Sequence, residues 1–495
     1  MNRKIIKIFL KKETLALVLM LALAAFLRLQ NVDHDFGFFG DQGRDLLVVR
    51  DWLNGGPLPL VGPSTSVGDF HTGPFFFYLL APFVALFDFS AIAPVHLMFL
   101  AGMLTILISF FLVKKQTDSL TALLVSFLIA TSPIAVFLSR GSWNPNIEPV
   151  FVVLLLLSLF SLIKTGRLIF AFVTFLILGI GIQLHYTFAA NIISSTLILL
   201  IFRPKIFKDY RFYLISAAGF LLPLSTFFYG QFLNHFQDLK IFKFAATTPD
   251  NPYEKFGLAT LLRRLVYPFR VYLPFDDFPL IKPFAYLIYS LILAGSVAIA
   301  FTKSKLSFIT RVLVIFYLSD ALISMAARIN YYEHYYEEFA ILTLFLSGLS
   351  ISYLFKLKKL IVLAIAGFLL LAVWQLKEIP QIYQISRTPQ VAYQISDVVS
   401  SDARLNHKNN FGVFVVSPVT LHQGFEHRYL IETQGFKTYS PELIGQTDYL
   451  IVEEADDQTT QLDLLNGDLK MRLLKKLYFN DESQQIKSAE IYRRI

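Results

Sequence analysis

Long apolar runs alternate with short polar connections over the first three-quarters of the chain. About 17 to 25 mainly apolar residues are needed to cross a hydrocarbon core of ~30 Å as a helix. That length predicts spans at 14–30, 92–113, 119–138, 147–163, 168–184, 187–202, 212–230, 283–301, 308–326, 339–355 and 360–376. The outer loop at 31–91 adds two amphipathic stretches, 44–54 and 74–88, the second too short and interrupted for a span, both expected to lie along the membrane surface. A second long loop, 231–282, carries six prolines counting Pro283 at its edge, with Arg263, Arg264 and Arg270, and is expected to shape a lid or an acceptor groove.

After Trp374 the pattern changes to polar. Phe411 to Val416 and Tyr449 to Val452 read as strands, and helical periodicity appears at 388–401, 423–434 and 459–476. The expected architecture is a polytopic α-helical membrane protein of about eleven transmembrane helices at 1–376, followed by a small C-terminal α/β soluble domain at 377–495.

Charge sets the expected orientation. Arg3, Lys4, Lys7, Lys11 and Lys12 precede the first span, and Lys114-Lys115, Lys164 with Arg167, Arg203 with Lys205 and Lys208, Lys303 with Lys305, and Lys356 with Lys358-Lys359 occupy every second connection. Positive charge is retained on the cytoplasmic side. The N-terminus is therefore expected in the cytoplasm of a cell with a plasma membrane, and the C-terminal domain is expected outside it. Ala22-Leu23-Ala24 resembles a signal-peptide cleavage site, but the apolar run is long for a signal, and an anchor is the expectation.

Composition agrees. The chain has 495 residues, 55% hydrophobic and only 16% charged, with Phe 50 and Tyr 23. Its mean hydropathy is +0.56. The net charge of +8 is dispersed in short clusters rather than gathered on one basic face, so nucleic acid is not an expected partner. The absence of cysteine excludes disulfides, thiolate metal sites and cysteine nucleophiles.

Candidate chemistry lies in the connections free of lysine clusters. Gly37-Phe38-Phe39-Gly40-Asp41-Gln42-Gly43-Arg44-Asp45 follows the first span. Asp41 could cap a surface helix, or act as a general base on an acceptor nucleophile. Asp69 and His71 share a turn-rich loop and both can exchange protons. Arg140, Trp143, Asn144, Asn146 and Glu148 crowd one helix end, where an arginine could bind a phosphate bidentately or snorkel to lipid headgroups. Gln183, His185 and Tyr186 end the fifth span; Arg328, Asn330, Glu333 and His334 end the ninth among tyrosines. An aromatic belt accounts for the tyrosines but not for the ionisable groups among them.

These segments, GFFGDQGRD, FHTGPFFFYLLAP, SRGSWNPN, GIQLHYT and YYEHYY in this order, resemble the C-type glycosyltransferase superfamily over roughly residues 14 to 350. That superfamily includes protein O-mannosyltransferases, lipid A aminoarabinose transferases and rhizobial core-oligosaccharide transferases. The resemblance implies an inverting transfer of a sugar from a polyprenyl-phosphate donor to a glycan, lipid or protein acceptor. It implies Asp41 as the catalytic carboxylate, with Arg44, Asp69, His71, Arg140, Asn144, His185, Tyr186, Arg328 and His334 around the donor phosphate or acceptor. The family pattern has an acidic pair where this chain has Asp41-Gln42, so a metal on Asp41, a divalent cation such as Mg or Mn, is left open, with Asp45 or Asp69 as substitutes for the second acid. A transporter or flippase of lipid-linked saccharides is the main alternative, and Asp320 within the ninth span is the residue that favours it. A structural or receptor role for the C-terminal domain is the third reading.

Overall fold

The computed structural model describes residues 12–65, 70–241, 258–273, 282–326, 337–382, 389–417, 423–443, 446–454, 471–479 and 486–494. Every apolar stretch named above is helical where described. The helices are α1 (Lys12–Leu29), α2 (Gly40–Leu53), α3 (Phe75–Leu86), α4 (Ala93–Gln116), α5 (Ser119–Thr131), α6 (Pro133–Leu138), α7 (Glu148–Thr165), α8 (Leu168–Leu184), α9 (Ala189–Phe202), α10 (Tyr210–Leu233), α11 (Leu258–Tyr272), α12 (Ala285–Ala300), α13 (Ser307–Ala326), α14 (Glu337–Phe355) and α15 (Ile361–Ile382). Among the described residues five helical stretches, 93–116, 144–165, 210–233, 282–300 and 361–380, are long and apolar enough to cross a membrane.

Two departures from the expected pattern have local causes. The span expected at 119–138 is two helices, because Pro133 lacks the N–H that would continue α5 and the Ser132 hydroxyl instead accepts the Ala135 N–H at 3.4 Å to start α6. The 231–282 loop contains α11, which docks into the bundle: Tyr317 donates to the Leu265 carbonyl at 2.6 Å, and Phe269 and Tyr272 are buried.

Close helix packing relies on small residues. A Cβ at Gly179 of α8 would lie 2.3 Å from the Phe220 carbonyl oxygen, and one at Gly219 of α10 would lie 2.5 Å from that of Phe172. Reciprocal glycines thus bring these two backbones together, while α7 is the most enclosed of the candidate spans.

The connections sort to the ends of the bundle. Lys114 pairs with Glu13, and Lys356 with Asp118 at 3.0 Å, so the basic connections after α4 and α14 meet the start of α1 and of α5. The candidate site residues lie at the opposite ends of these helices.

The C-terminal domain adds α16 (Pro389–Leu405), α17 (Phe425–Thr433) and a five-stranded sheet in the order β2-β1-β3-β5-β4. β1 (Asn410–Val416) runs parallel to β2 (Lys437–Tyr439) and β3 (Tyr449–Glu454), while β5 (Ser488–Arg494) is antiparallel to β3 and to β4 (Met471–Tyr478). Val391, Ile395 and Val399 of α16 pack with Phe411, Val413, Ile451 and Ile491 in its core. The helix expected at 459–476 is corrected at its C-terminal end, where residues 471–478 form β4; 459–470 lie outside the described residues. The segment MRLLKKLY has helical spacing, but pairing with β5 overrides it, and an irregularity between Leu473 and Lys475 absorbs the break in alternation.

Candidate active site

The first motif forms the start of α2. Its cap is not the one Asp41 could supply: Gln42 Oε1 accepts the Phe39 N–H at 2.9 Å, the reach-back of a capping box. Gln42, the departure from an acidic pair, therefore closes the helix start. Asp41, free of that duty, accepts from Arg44 Nη1 at 2.8 Å and stays 40% exposed. Negative charge in a first turn is favoured by the helix dipole.

Arg44 also grips Asp45, through Nε and Nη2 at 2.9 Å each. Asp45 is 2% exposed. Burial, aided by the neighbouring Asp41 charge, pushes its carboxyl up to about 6 against the pull of Arg44. One guanidinium is thus clamped between an open carboxylate and a buried one. Among the described residues no cluster of three His, Asp or Glu side chains could hold a metal, and the space between Asp41 and Asp45 is taken by the Arg44 guanidinium.

His71 sits in a folded-back loop. The Gly62 N–H donates to the Thr72 carbonyl at 2.8 Å and the Thr72 N–H to the Pro63 carbonyl at 3.0 Å, beside a bridge between Ser64 and His71. Asp238, beyond α10, accepts both the His71 backbone N–H at 3.0 Å and its Nδ1 at 2.8 Å. That pairing places the proton on Nδ1 and leaves Nε2 as the reactive nitrogen. Gln231 Nε2 holds the other Asp238 oxygen at 2.6 Å. Burial works against charge on Asp238, but the hydrogen bonds from Gln231 and His71 outweigh it and hold the carboxyl below its ordinary value. Asp238 was not among the expected residues; its only mark in the sequence is one acid seven positions beyond a helix-end glutamine.

Asn144, His185 and Tyr186 gather around this loop. Phe70 meets the Tyr186 ring edge-on at 5.8 Å, Tyr186 stacks on His185 at 4.5 Å, and His185 Nδ1 pairs with the Thr187 hydroxyl at 2.6 Å. Asn144 donates to the Leu184 carbonyl at 2.6 Å, fixing the SRGSWNPN turn to the same helix end. Gly73 packs on the Gln183 side chain, where a Cβ would approach to 2.3 Å.

Arg140 takes a different position. It is 1% exposed and donates to the carbonyls of Arg28, Gln30 and Asp35 at 2.9, 2.7 and 3.2 Å. It holds the segment that leads from α1 to Asp41. Asp69, Arg328 and His334 lie outside the described residues.

The C-terminal domain completes the setting of α2. Gly43 faces α17 so closely that a Cβ would lie 2.3 Å from the Glu426 backbone nitrogen. Arg50 pairs with the Glu432 carboxylate at 2.7 Å, the Phe38 and Tyr429 rings meet at 6.4 Å, and Tyr429 donates to the Phe89 carbonyl.

This helix bundle, with a carboxylate at the start of the helix that follows its first long apolar helix, resembles the C-type glycosyltransferases, and proteins of similar sequence and fold bear out the resemblance. Residues 71–229 match the model of the dolichyl-phosphate-mannose-protein mannosyltransferase family. A stretch of 130 residues is 31% identical to the putative mannosyltransferase YkcB of Bacillus subtilis (strain 168), covering 26% of this chain and 18% of that protein. In fold, the chain is similar over 96% of its length to ArnT from Cupriavidus metallidurans bound to undecaprenyl phosphate, with a TM-score of 0.57, 10% identity and 97% of that chain covered. It is also similar to the Archaeoglobus fulgidus oligosaccharyltransferase in a complex with Zn and sulfate, with a TM-score of 0.50, 13% identity and coverage of 88% and 68%.

Proposed function

We propose that this protein is an inverting glycosyltransferase of the plasma membrane that moves a sugar from a polyprenyl-phosphate donor to an acceptor hydroxyl or amine on the extracytoplasmic face. Its N-terminus is cytoplasmic in this reading, and the C-terminal domain lies with Asp41 outside. The observation that carries the reading is the clamp at the start of α2, which presents a half-exposed Asp41 on Arg44 beside a buried second acid.

The chemistry follows from these groups. Asp41 takes the proton of the acceptor O–H as its oxygen forms a bond to the anomeric carbon. On the opposite face the carbon–oxygen bond to the phosphate breaks, and polyprenyl phosphate leaves with the bonding pair, so the anomeric centre inverts. In its doubly protonated form, paired with Asp238 through Nδ1, His71 donates its Nε2–H to the departing phosphate, and Asn144, His185 and Tyr186 form the adjoining wall. Donors preorganised where charge develops are the usual source of such stabilisation. Arg44 holds the carboxylate in place and offsets its charge. Arg140 serves as the strut of the loop rather than as a phosphate ligand.

The test is release of polyprenyl phosphate by purified protein given a polyprenyl-phosphate sugar and candidate acceptors. Asp41→Asn should lose at least roughly a hundredfold in turnover, in the range of a removed general base, with donor binding retained. Equal turnover in wild type and variant would remove Asp41 from the mechanism, and sugar crossing the bilayer still attached to its lipid would turn the reading toward a flippase.

A further inference from the structure

A second site lies at the other end of the bundle from His71. α8, α9 and α10 enclose an apolar slot of about 460 Å³ whose walls include Phe175, Leu199, Phe207, Phe212 and Phe220. It opens outward between exposed apolar side chains, with Leu200, Tyr213 and Ala217 at its edge. Phe175, the slot's lining residue on α8, lies ten residues before His185, about 15 Å at the helical rise. The slot is therefore separate from the site described above.

Two observations indicate an occupant with both a polar and an apolar part. Ser216 lines the slot at 5% exposure, and its hydroxyl has no hydrogen-bond partner. A buried hydroxyl without a partner is uncommon and calls for an acceptor. Beyond it, the connection from α9 to α10 carries Arg203, Lys205 and Lys208, all exposed and with no carboxylate partner among the described residues. The general bias of cytoplasmic loops toward lysine puts positive charge here; what sets this connection apart is that its own Phe207 lines the slot. The nearby acid, Asp209, is taken by Arg211 at 2.8 Å.

We propose that this slot binds an anionic glycerophospholipid, with one acyl chain between α8, α9 and α10, an ester carbonyl on Ser216, and the headgroup phosphate against Lys205, Lys208 and Arg203. The set of groups decides the class: an apolar wall, a buried hydroxyl with no partner and a cluster of cations match chain, ester and phosphate. A polyprenyl phosphate has a chain and a phosphate but no ester for Ser216 to meet.

The experiment is thermal unfolding of the full-length protein in detergent, with phosphatidylglycerol, phosphatidylcholine or a polyprenyl phosphate added at equal concentration. Phosphatidylglycerol should raise the midpoint by roughly 3 °C, the scale expected of a ligand well above its dissociation constant, and phosphatidylcholine by less than half of that. Lys205→Gln with Lys208→Gln, a surface change that leaves the fold alone, should erase the preference for the anionic lipid. Ala217→Phe should fill the slot and abolish the shift, and Ser216→Ala should reduce it. Equal shifts with both phospholipids, or a full shift in Ala217→Phe protein, would overturn the proposal. So would a larger shift with polyprenyl phosphate that Ser216→Ala leaves unchanged.

Discussion

Arg50 of α2 and Glu432 of α17 form an ion pair of 2.7 Å, with Arg50 also donating to the Glu432 carbonyl at 2.8 Å, across the junction between the helix bundle and the C-terminal domain. The pair is largely shielded from water and Glu432 also accepts from Thr438 at 2.7 Å, so the carboxylate is tied into its own domain while it grips the other. The C-terminal domain therefore bears on the helix that carries Asp41.

Removing the grip should loosen that helix. Glu432→Ala is expected to lower the unfolding midpoint, with a stability loss of about 1 to 3 kcal/mol for a shielded, hydrogen-bonded charge pair. Turnover should fall without a matching rise in KM for the donor, because the change acts on the placement of Asp41. A double-mutant cycle with Arg50→Ala should show coupling of at least about 0.5 kcal/mol; strict additivity would separate the two residues.

Gly43→Ala should be more severe than its size suggests. Its Cβ would lie 2.3 Å from a backbone nitrogen that no side-chain rotation can move, so α2 and α17 must separate. The expected result is a loss of turnover greater than that of Glu432→Ala, together with earlier proteolysis of the linker into the C-terminal domain.

Asp45 gives a pH signature. Its carboxyl titrates near 6 in the folded protein against an ordinary value of 3.8, so between about pH 4 and pH 6 the folded state keeps a proton that the unfolded state has lost. Stability from this group is full below pH 4 and declines as pH rises through 6, by an amount on the order of 3 kcal/mol. Asp45→Asn protein should lack this component of the slope when unfolding midpoints are measured across the window. A variant as steep as wild type would contradict the assignment.

Asp238→Asn tests the orientation of His71. The amide can still accept one hydrogen bond but no longer favours the Nδ1 proton, so turnover is expected to fall roughly tenfold to a hundredfold. The unfolding midpoint should change little. Gln231→Ala, which acts one contact further away, should cost less.

Arg140→Ala distinguishes a strut from a phosphate ligand. Loss of the strut leaves the carbonyls of Arg28, Gln30 and Asp35 without their donor and should destabilise the fold by about 3 kcal/mol or more. Loss of a ligand would instead raise KM for the donor at an unchanged unfolding midpoint.

Much of the helical part was legible because crossing a bilayer demands length and apolarity that few other structures need. The features hidden in the sequence depend on partners far away in the chain. Asp41 looked able to cap its helix because acids do so commonly, but Gln42 was one position better placed to reach back to Phe39. Arg140 has the residue type and location of a phosphate ligand, and only the folded chain shows three carbonyls from residues 28–35 around it. Asp238 carries no motif, since its importance comes from meeting His71 across 167 positions. In the C-terminal domain β2 is three residues long and β4 has helical spacing, so neither announces itself without the strand beside it.

The contact between Gly43 and Glu426 also bears on how the protein is made. Synthesis delivers Asp41 first, Arg140 about a hundred residues later, and the α17 surface only about 380 residues after Asp41. A chain halted before Phe425 would carry the candidate catalytic carboxylate and its clamp, yet α2 would have nothing to rest against. Competence would thus arrive with α17, and copies halted before it would be silent.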